Sequence, residues 1–155
     1  MRLWPYEMFP YLPERQFRGQ LRELVAIMHD WRDNGDWRDK GSANHLLINF
    51  VMEYPKADLL AYYHLYRREW QRRYGKDLRP ELTEEFERFA WYSKPCSDNE
   101  YPFSCWLPTR YYWRICMANL AEKHLASGPN RITDEEWSLL CKGYSDNNGG
   151  EKYRL

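Results

Sequence analysis

Residues 13–31 have the clearest helical pattern of the chain, and they read PERQFRGQLRELVAIMHDW. Apolar side chains recur there at steps of four, three and four residues, at Phe17, Leu21, Leu24 and Met28. This spacing places them on one face of a helix. Pro13 suits the first turn, where its missing N–H would have no partner. We therefore predict a helix from Pro13 to about Trp31 with a buried apolar stripe.

The rest of the chain also has helical patterns, and no convincing strand-like alternation appears. Further helices are predicted at residues 44–53, 56–74, 83–91, 108–126 and about 133–143. Gly75 should end the second of these, and Thr133 with Glu136 forms a capping box for the last. Loops are expected at residues 32–42 and 92–107, and a flexible tail at 145–155. With no internal repeat and no boundary, we predict an all-α fold with one domain, residues 1–155.

Aromatic residues make up 17% of the chain, including 8 Trp and 13 Tyr. Such rings fill a core, and an excess also supplies surfaces on which bases stack. In the helix predicted at residues 56–74, the inward side chains are expected to be Leu59, Tyr63, Tyr66 and Trp70. Core packing is the favoured interpretation for any single ring.

The formal net charge is zero, so the chain as a whole does not indicate a polyanion partner. The charges are nevertheless unevenly placed, because residues 67–79 contain six basic and two acidic residues. Within them Arg68 and Arg72 lie four residues apart and should face outward. A local basic face on a neutral protein allows phosphate binding but predicts weak non-specific affinity.

The cysteines Cys96, Cys105, Cys116 and Cys141 show no CxxC pair and no repeated spacing. Together with scattered histidines they do not predict a zinc site, and we expect neither a metal nor another cofactor. Reduced thiols in a cytoplasmic protein are the favoured interpretation. There is no signal peptide, and the apolar runs are far too short for a membrane span, so no membrane partner is expected.

Glu23 is the first candidate for chemistry. It lies about a hundred degrees around the helix from Arg22, between the apolar stripe and a basic edge that Arg15, Arg18 and Arg22 form. A carboxylate at such a border is partly desolvated, while neighbouring arginines keep it ionised. The alternative is a solvated helix charge paired with an arginine, which describes most such glutamates.

Gly19 is unusual in the middle of a helix, where glycine costs roughly 1 kcal/mol relative to alanine. One reason for a glycine is the close approach of another backbone segment. Since Gly19 precedes Glu23 by one turn, an extended N-terminal segment of residues 1–4 would be able to lie across the helix there. The alternative is a tolerated surface glycine.

The N-terminal amine is a second candidate group. An α-amine has an unperturbed pKa of about 7.7–8.0, so an appreciable neutral fraction exists at physiological pH. It is therefore a better amine nucleophile than an untuned lysine. The initiator methionine is normally removed only before a small residue. Because Arg2 is large, Met1 should stay and carry the amine.

Three patches of the chain resemble the pyrimidine dimer DNA glycosylase family, the phage endonuclease V type. The most specific patch is the N-terminal block, with Arg2 and with REL at residues 22–24. The second is residues 44–75, with NH at 44–45, YYH at 62–64 and RYG at 73–75. The third, NLAEK at residues 119–123, is similar to the family's motif with a phosphate-binding lysine. Together they span most of the chain.

The resemblance implies a covalent mechanism that needs no cofactor. Family members use the chain's own N-terminal amine as nucleophile and a glutamate on the first helix as its partner, here Met1 and Glu23. The amine would attack deoxyribose C1′, the base would leave, and a Schiff base would form. Glu23 would stabilise the cationic sugar and then assist β-elimination at the abasic site. The implied activity is that of a DNA glycosylase and abasic-site lyase on pyrimidine dimers or modified pyrimidines.

The resemblance also implies a monomer that binds double-stranded DNA. The implied DNA-binding residues are Arg2, Arg22, Lys123, Arg18 and His45. Trp4 and Tyr6 would be able to fill the gap left when DNA is unstacked, although hydrophobic anchoring better describes Trp4. His64 is a further candidate for contact with phosphate or sugar, and helix packing is at least as good an interpretation of it.

Two positions depart from the family pattern. The family's best-known member has an arginine three residues past the catalytic glutamate and another in the third patch, where this chain has Ala26 and Asn119. Two DNA contacts are thus missing, so dimer specificity does not follow from the resemblance. Two alternatives remain, namely a non-catalytic DNA-binding relative and a helical protein-interaction module that has no nucleic-acid partner.

Overall fold

A computed structural model describes residues 2–35, 49–94, 102–103 and 107–154. Four residues singled out above, Met1, His45, Cys96 and Cys105, lie outside these ranges. Most of the predicted 32–42 loop, residues 44–48 of the predicted short helix and most of residues 95–107 also lie outside the described residues.

The described residues are all-α, as predicted, and contain no strand. The α-helices in these ranges are α1, Glu14–Asn34; α2, Lys56–Tyr74; α3, Pro80–Phe89; α4, Arg110–Leu125; and α5, Asp134–Asn147. Short 3-10 helices at Tyr6–Tyr11 and Phe50–Glu53 precede α1 and α2. The first of these was not predicted. Two helices begin at other residues than predicted. The helix α3 begins at Pro80 rather than at residue 83, because proline suits the first turn of a helix. The helix α4 begins at Arg110 rather than at residue 108, because the Thr109 side chain caps it.

The chain divides into two compact units. The first comprises Met1–Leu3 and Gly19–Ser104, and the second comprises Trp4–Arg18 and Cys105–Leu155. The division therefore falls within α1, between Arg18 and Gly19. A single domain of residues 1–155 stays a prediction.

The α1 face that belongs to the first unit is apolar, as predicted. Leu24 and Met28 are fully buried, and Ile27 is buried beside them. Leu21 is only half-buried, and its neighbour Gln20 is buried instead. The predicted end of α1 near Trp31 is wrong, because the helix continues to Asn34.

The bounds of α2 are those predicted. Gly75 ends the helix with a φ of 62°, a left-handed conformation that glycine adopts without strain. Of the four side chains predicted to face inward, Leu59, Tyr63 and Tyr66 are fully buried, whereas Trp70 is half-buried.

Tyr63 joins α2 to α3 through two contacts. Its ring stacks on that of Phe86 with centroids 4.3 Å apart. Its hydroxyl shares a hydrogen bond of 2.8 Å with the Thr83 hydroxyl. Because both partners are buried on α3, this contact fixes the position of α3 beside α2.

In the second unit, the 3-10 helix Tyr6–Tyr11 packs against α5. The contact is closest at Gly143, where a Cβ atom would lie 2.5 Å from the Tyr11 ring. No side chain larger than hydrogen fits there unless the ring moves. The predicted end of the last helix near Gly143 is wrong, because the helix continues to Asn147. Gly143 lies inside α5, where the absence of a side chain allows the close contact with Tyr11.

The capping box of α5 is confirmed. The Thr133 amide donates to the Glu136 carboxylate at 2.8 Å, and the Glu136 amide donates to the Thr133 hydroxyl at 3.2 Å. Residues 145–147 of the predicted flexible tail belong to α5, and the flexibility of the residues after them stays a prediction. The Tyr153 ring packs edge-on against Trp137 and Tyr144, with centroids 5.8 and 5.4 Å away.

The two helical glycines should respond oppositely to alanine. Gly143→Ala should lower the free energy of unfolding by about 1–3 kcal/mol, because the added methyl group overpacks the Tyr11 contact. At Gly19 no described atom lies within 4 Å of an added Cβ, so Gly19→Ala should stabilise by roughly 0.5–1 kcal/mol through helix propensity. Denaturant unfolding measures both, and a destabilising Gly19→Ala would contradict this account.

Candidate active site

Two hydrogen bonds hold the beginning of the chain on α1, and a third fixes the Gln20 side chain that forms one of them. The Arg2 amide donates to Glu23 Oε2 at 3.0 Å. The Gln20 side-chain amide donates to the Arg2 carbonyl at 3.1 Å, and its oxygen accepts from the Tyr62 hydroxyl at 3.1 Å. Leu3, which follows, is fully buried. Both polar groups of the Arg2 backbone are therefore bound by side chains of one helix.

This arrangement follows from helical spacing. Gln20 and Glu23 are three residues apart on α1, so their side chains project from the same side of the helix. Gln20 is only 1% exposed, and a buried amide needs partners for both its donor and its acceptor. The Arg2 carbonyl and the Tyr62 hydroxyl are those partners. An extended N-terminal segment does lie on the helix, but through Gln20 and Glu23 rather than through a close approach at Gly19.

Glu23 is a half-buried carboxylate held next to the second residue of the chain. One of its oxygens accepts the Arg2 amide. Met1 directly precedes Arg2 and lies outside the described residues. A carboxylate held in this place is suited to accept a proton and to stabilise a positive charge close to it.

Arg22 projects from α1 into solvent next to this site. It lines a groove of about 490 Å³ together with Arg79, which precedes α3. Leu21, Val25, Ala26 and Leu82 form the apolar part of the groove. Both arginines are exposed, and neither forms an ion pair among the described residues. The groove therefore presents two cations beside an apolar surface.

His29 and Glu85 also line this groove and belong to a charged cluster. Glu85 Oε1 is hydrogen-bonded to His29 Nε2 at 2.9 Å and to Arg32 Nη1 at 2.7 Å. Burial alone would raise the pKa of Glu85, but the hydrogen bonds from Arg32 and His29 outweigh burial and lower it. Glu85 therefore stays ionised and is neutralised locally.

The basic segment at residues 67–79 is less cationic than its sequence indicates. Glu69, with 9% of its side chain exposed, accepts from Arg72 at 2.7 Å and from Arg73 at 2.8 Å. Asp77 pairs with Arg67, and that hydrogen bond is the main cause that lowers the pKa of Asp77 to about 2. The cations of this segment that form no ion pair within the described residues are Arg68, Lys76 and Arg79, all exposed.

His64 is half-buried on α2, and its ring lies 5.6 Å from that of Tyr63. Burial, followed by the nearby charge of Arg67, lowers the pKa of His64. A neutral imidazole does not neutralise phosphate, so these observations favour helix packing over DNA contact for this residue.

The other candidates from the sequence belong to the second unit. Arg18 pairs with Glu14 at 3.3 Å, and both side chains are well exposed. Lys123 is half-buried, with its Nζ 6.0 Å from the centre of the Trp4 ring. Trp4 and Tyr6 are 4% and 8% exposed. Burial favours anchoring over base stacking for both rings, as the sequence had favoured for Trp4.

Sequence reasoning missed Gln20 and Tyr62. A signal for Gln20 was present, because it stands three residues after Phe17 and four before Leu24, a spacing that places it on the apolar face. A polar residue at such a position needs a buried partner. The identity of that partner was not readable, since Arg2 and Tyr62 are 18 and 42 residues away along the chain.

Neither a metal site nor a membrane span is found in the part of the chain that the structure describes. No group of histidine, cysteine and acidic side chains there is arranged to hold a metal ion. No described helix combines the length and the apolar character that crossing a bilayer requires. Cys116 is buried and Cys141 is half-buried.

Comparison with known proteins gives one match. A family model described as pyrimidine dimer DNA glycosylase matches residues 1–81. The matched region contains Arg22, and it contains Glu23 and Gln20 together with the Arg2 backbone that these two bind. Neither a curated protein nor a solved structure matches the chain.

Gln20→Ala should release the beginning of the chain. The Arg2 carbonyl and the Tyr62 hydroxyl would lose their partner, so the free energy of unfolding should fall by about 1–3 kcal/mol. Hydrogen exchange at the Arg2 amide should also become faster, because the segment is no longer held on Glu23. Gln16→Ala, on the same helix and half-buried, is the matched control and should change stability by less than about 0.5 kcal/mol. Equal effects of the two variants would contradict the assigned role of Gln20.

Proposed function

We propose that this chain, which belongs to the pyrimidine dimer DNA glycosylase family, removes a damaged or modified pyrimidine through an imine with its own N-terminal amine. In this proposal it then cleaves the strand at the resulting abasic site. Met1 supplies the amine, and Glu23 is its carboxylate partner. The substrate is double-stranded DNA that carries a pyrimidine dimer or another modified pyrimidine.

The hydrogen bond from the Arg2 amide to Glu23 carries the proposal. It holds the second residue at 3.0 Å from a half-buried carboxylate, and the α-amine is one residue earlier in the chain. A free α-amine has a substantial neutral fraction near pH 7, so it acts as a nucleophile without a lowered pKa. The Gln20 contact to the Arg2 carbonyl restricts the same residue from its other side.

The reaction runs in two stages. The amine nitrogen bonds to deoxyribose C1′ while the bond from C1′ to the base breaks and its electron pair leaves with the base, which takes up a proton. Loss of a proton from the amine and opening of the sugar ring give the imine. Glu23 stabilises the positive charge, then accepts a proton from C2′, and the C3′–O3′ bond breaks.

The exposed cations of the groove that Arg22 lines are suited to hold the DNA backbone. Arg22 and Arg79 line one groove and have no ion pair among the described residues. Guanidinium groups bind phosphate through paired hydrogen bonds. Arg2, Arg18, His45 and Lys123 are proposed as further DNA contacts.

The nucleophile is tested by borohydride trapping on duplex DNA that contains an abasic site. The adduct should lie on the peptide that contains Met1. A single residue added before Met1 moves the amine about 3.8 Å along the chain and should abolish trapping without lowering the unfolding temperature. An adduct on Lys123 or another internal lysine would overturn the assignment. DNA binding without any adduct would instead indicate a non-catalytic relative.

Glu23→Gln tests the carboxylate. The glutamine oxygen still accepts the Arg2 amide, so the fold of the segment is kept while the negative charge is lost. Base excision under single-turnover conditions should fall by about 10²–10⁴-fold, with DNA affinity hardly changed. Glu14→Gln, an exposed acid on the same helix, is the control and should retain activity. If Glu23→Gln is as active as this control, Glu23 is only a surface charge of the helix.

A further inference from the structure

The C-terminal segment forms a basic cleft in the second unit, beyond the residues that the family model matches. Arg114, Tyr144 and residues 150–154 line this cleft, which has a volume of about 760 Å³. Its acidic residue, Glu151, pairs with Arg114 at 2.5 Å and also with Arg110. Lys152 and Arg154 add two exposed cations.

The position of the two tail cations follows from the alternating exposure of the segment. Residues 151–154 have no helical structure, and Glu151 and Tyr153 are half-buried, whereas Lys152 and Arg154 are exposed. Tyr153 points inward, against Trp137 and Tyr144. Lys152 and Arg154 therefore point outward together.

Positive charge is concentrated at this cleft, although the second unit as a whole is nearly neutral. The second unit contains nine basic and eight acidic residues, which is close to balance. Yet Arg110, Arg114, Lys152 and Arg154 gather around Glu151 alone. More than half of each of the Arg110 and Arg114 side chains is exposed in spite of the ion pairs. These groups are therefore accessible to a large anionic partner.

The spacing of the cations favours a polyanion over a single small anion. Arg110 and Arg114 are one helical turn apart on α4, and the tail adds a second pair beside them. Such a row of separate charges matches the repeated phosphates of a nucleic-acid backbone. Tyr111, next to Arg110, is 76% exposed and offers a ring for contact with sugar or base.

We propose that this cleft is a second binding surface for the phosphodiester backbone of DNA, formed by α4 and the C-terminal segment. The proposal rests on the proposed action on DNA, but it assigns residues that take no part in the chemistry. Glu151 holds Arg110 and Arg114 in place and at the same time repels the incoming phosphates. Its charge therefore sets how tightly the surface binds.

The test is duplex binding, measured by fluorescence anisotropy as a function of salt. Lys152→Ala/Arg154→Ala should reduce the slope of log K against log salt by about 1.8, since each phosphate contact contributes about 0.9. The loss of affinity between 50 and 200 mM salt should then be about twelvefold smaller than in the unchanged protein. The control is Arg131→Ala/Lys142→Ala, which removes two cations of the same unit, each paired with an acid on α5. It should leave the slope nearly unchanged.

Glu151→Gln should act in the opposite direction and tighten duplex binding, because it removes the negative charge and keeps the hydrogen-bond acceptor. If Glu151 were purely structural, affinity would fall together with the unfolding temperature. The tail variant, Lys152→Ala/Arg154→Ala, would overturn the proposal if it bound duplex as tightly as the unchanged protein. It would also do so if its salt slope fell only as much as that of the control. So would a loss confined to vesicles of phosphatidylcholine and phosphatidylserine, which would assign the cleft to a membrane surface.

Borohydride trapping at saturating protein separates this proposal from the one on catalysis. The tail variant should trap an abasic-site duplex as completely as the unchanged protein, because Met1 and Glu23 are unaltered. A protein that fails to trap in every form but shows the expected salt slopes would refute the chemistry and leave the surface. If Lys152→Ala/Arg154→Ala traps fully and binds duplex as the unchanged protein does, the second surface is refuted and the proposed chemistry stands.

Discussion

The buried amide of Gln20 joins segments that are far apart in the chain. Its nitrogen donates to the Arg2 carbonyl and its oxygen accepts from Tyr62, so the side chain connects the start of the chain, α1 and α2. Because the amide is buried, no water replaces a partner that is lost, so breaking either hydrogen bond leaves a polar group without a partner. With the Arg2 carbonyl fixed in this way, the amide of the same residue meets Glu23. The candidate active site thus depends on a residue that takes no part in the proposed chemistry.

Local pattern predicted the helices well where end signals were strong. Gly75 marks the end of α2, and Thr133 with Glu136 marks the start of α5, because each acts through backbone groups within one turn. The site was predictable only in part. Glu23 stands out as an acid at the edge of an apolar stripe, whereas the partners of Gln20 depend on contacts between distant segments.

The C-terminal segment has contacts that its composition does not reveal. Residues 145–155 are polar and rich in glycine and asparagine, which is typical of a frayed end. The half-buried Tyr153 ring nevertheless packs on Trp137 and Tyr144. Such aromatic contacts oppose the conformational entropy of a polar segment. No periodic pattern announces such an anchor, since it is one residue in an irregular segment.

The count of charged residues in a segment was also a poor guide to its available positive charge, because ion pairs neutralise part of that charge. In residues 67–79, Glu69 and Asp77 engage Arg67, Arg72 and Arg73, so half of the basic residues there are neutralised. Arg79 remains exposed and lines the same groove as Ala26, the position at which the family's best-known member has an arginine. On the proposed function, the loss of a cation from α1 is therefore offset by one that stands before α3. A groove binds phosphate when positive charge lies at the right place in it, and residues from two different elements are able to supply that charge.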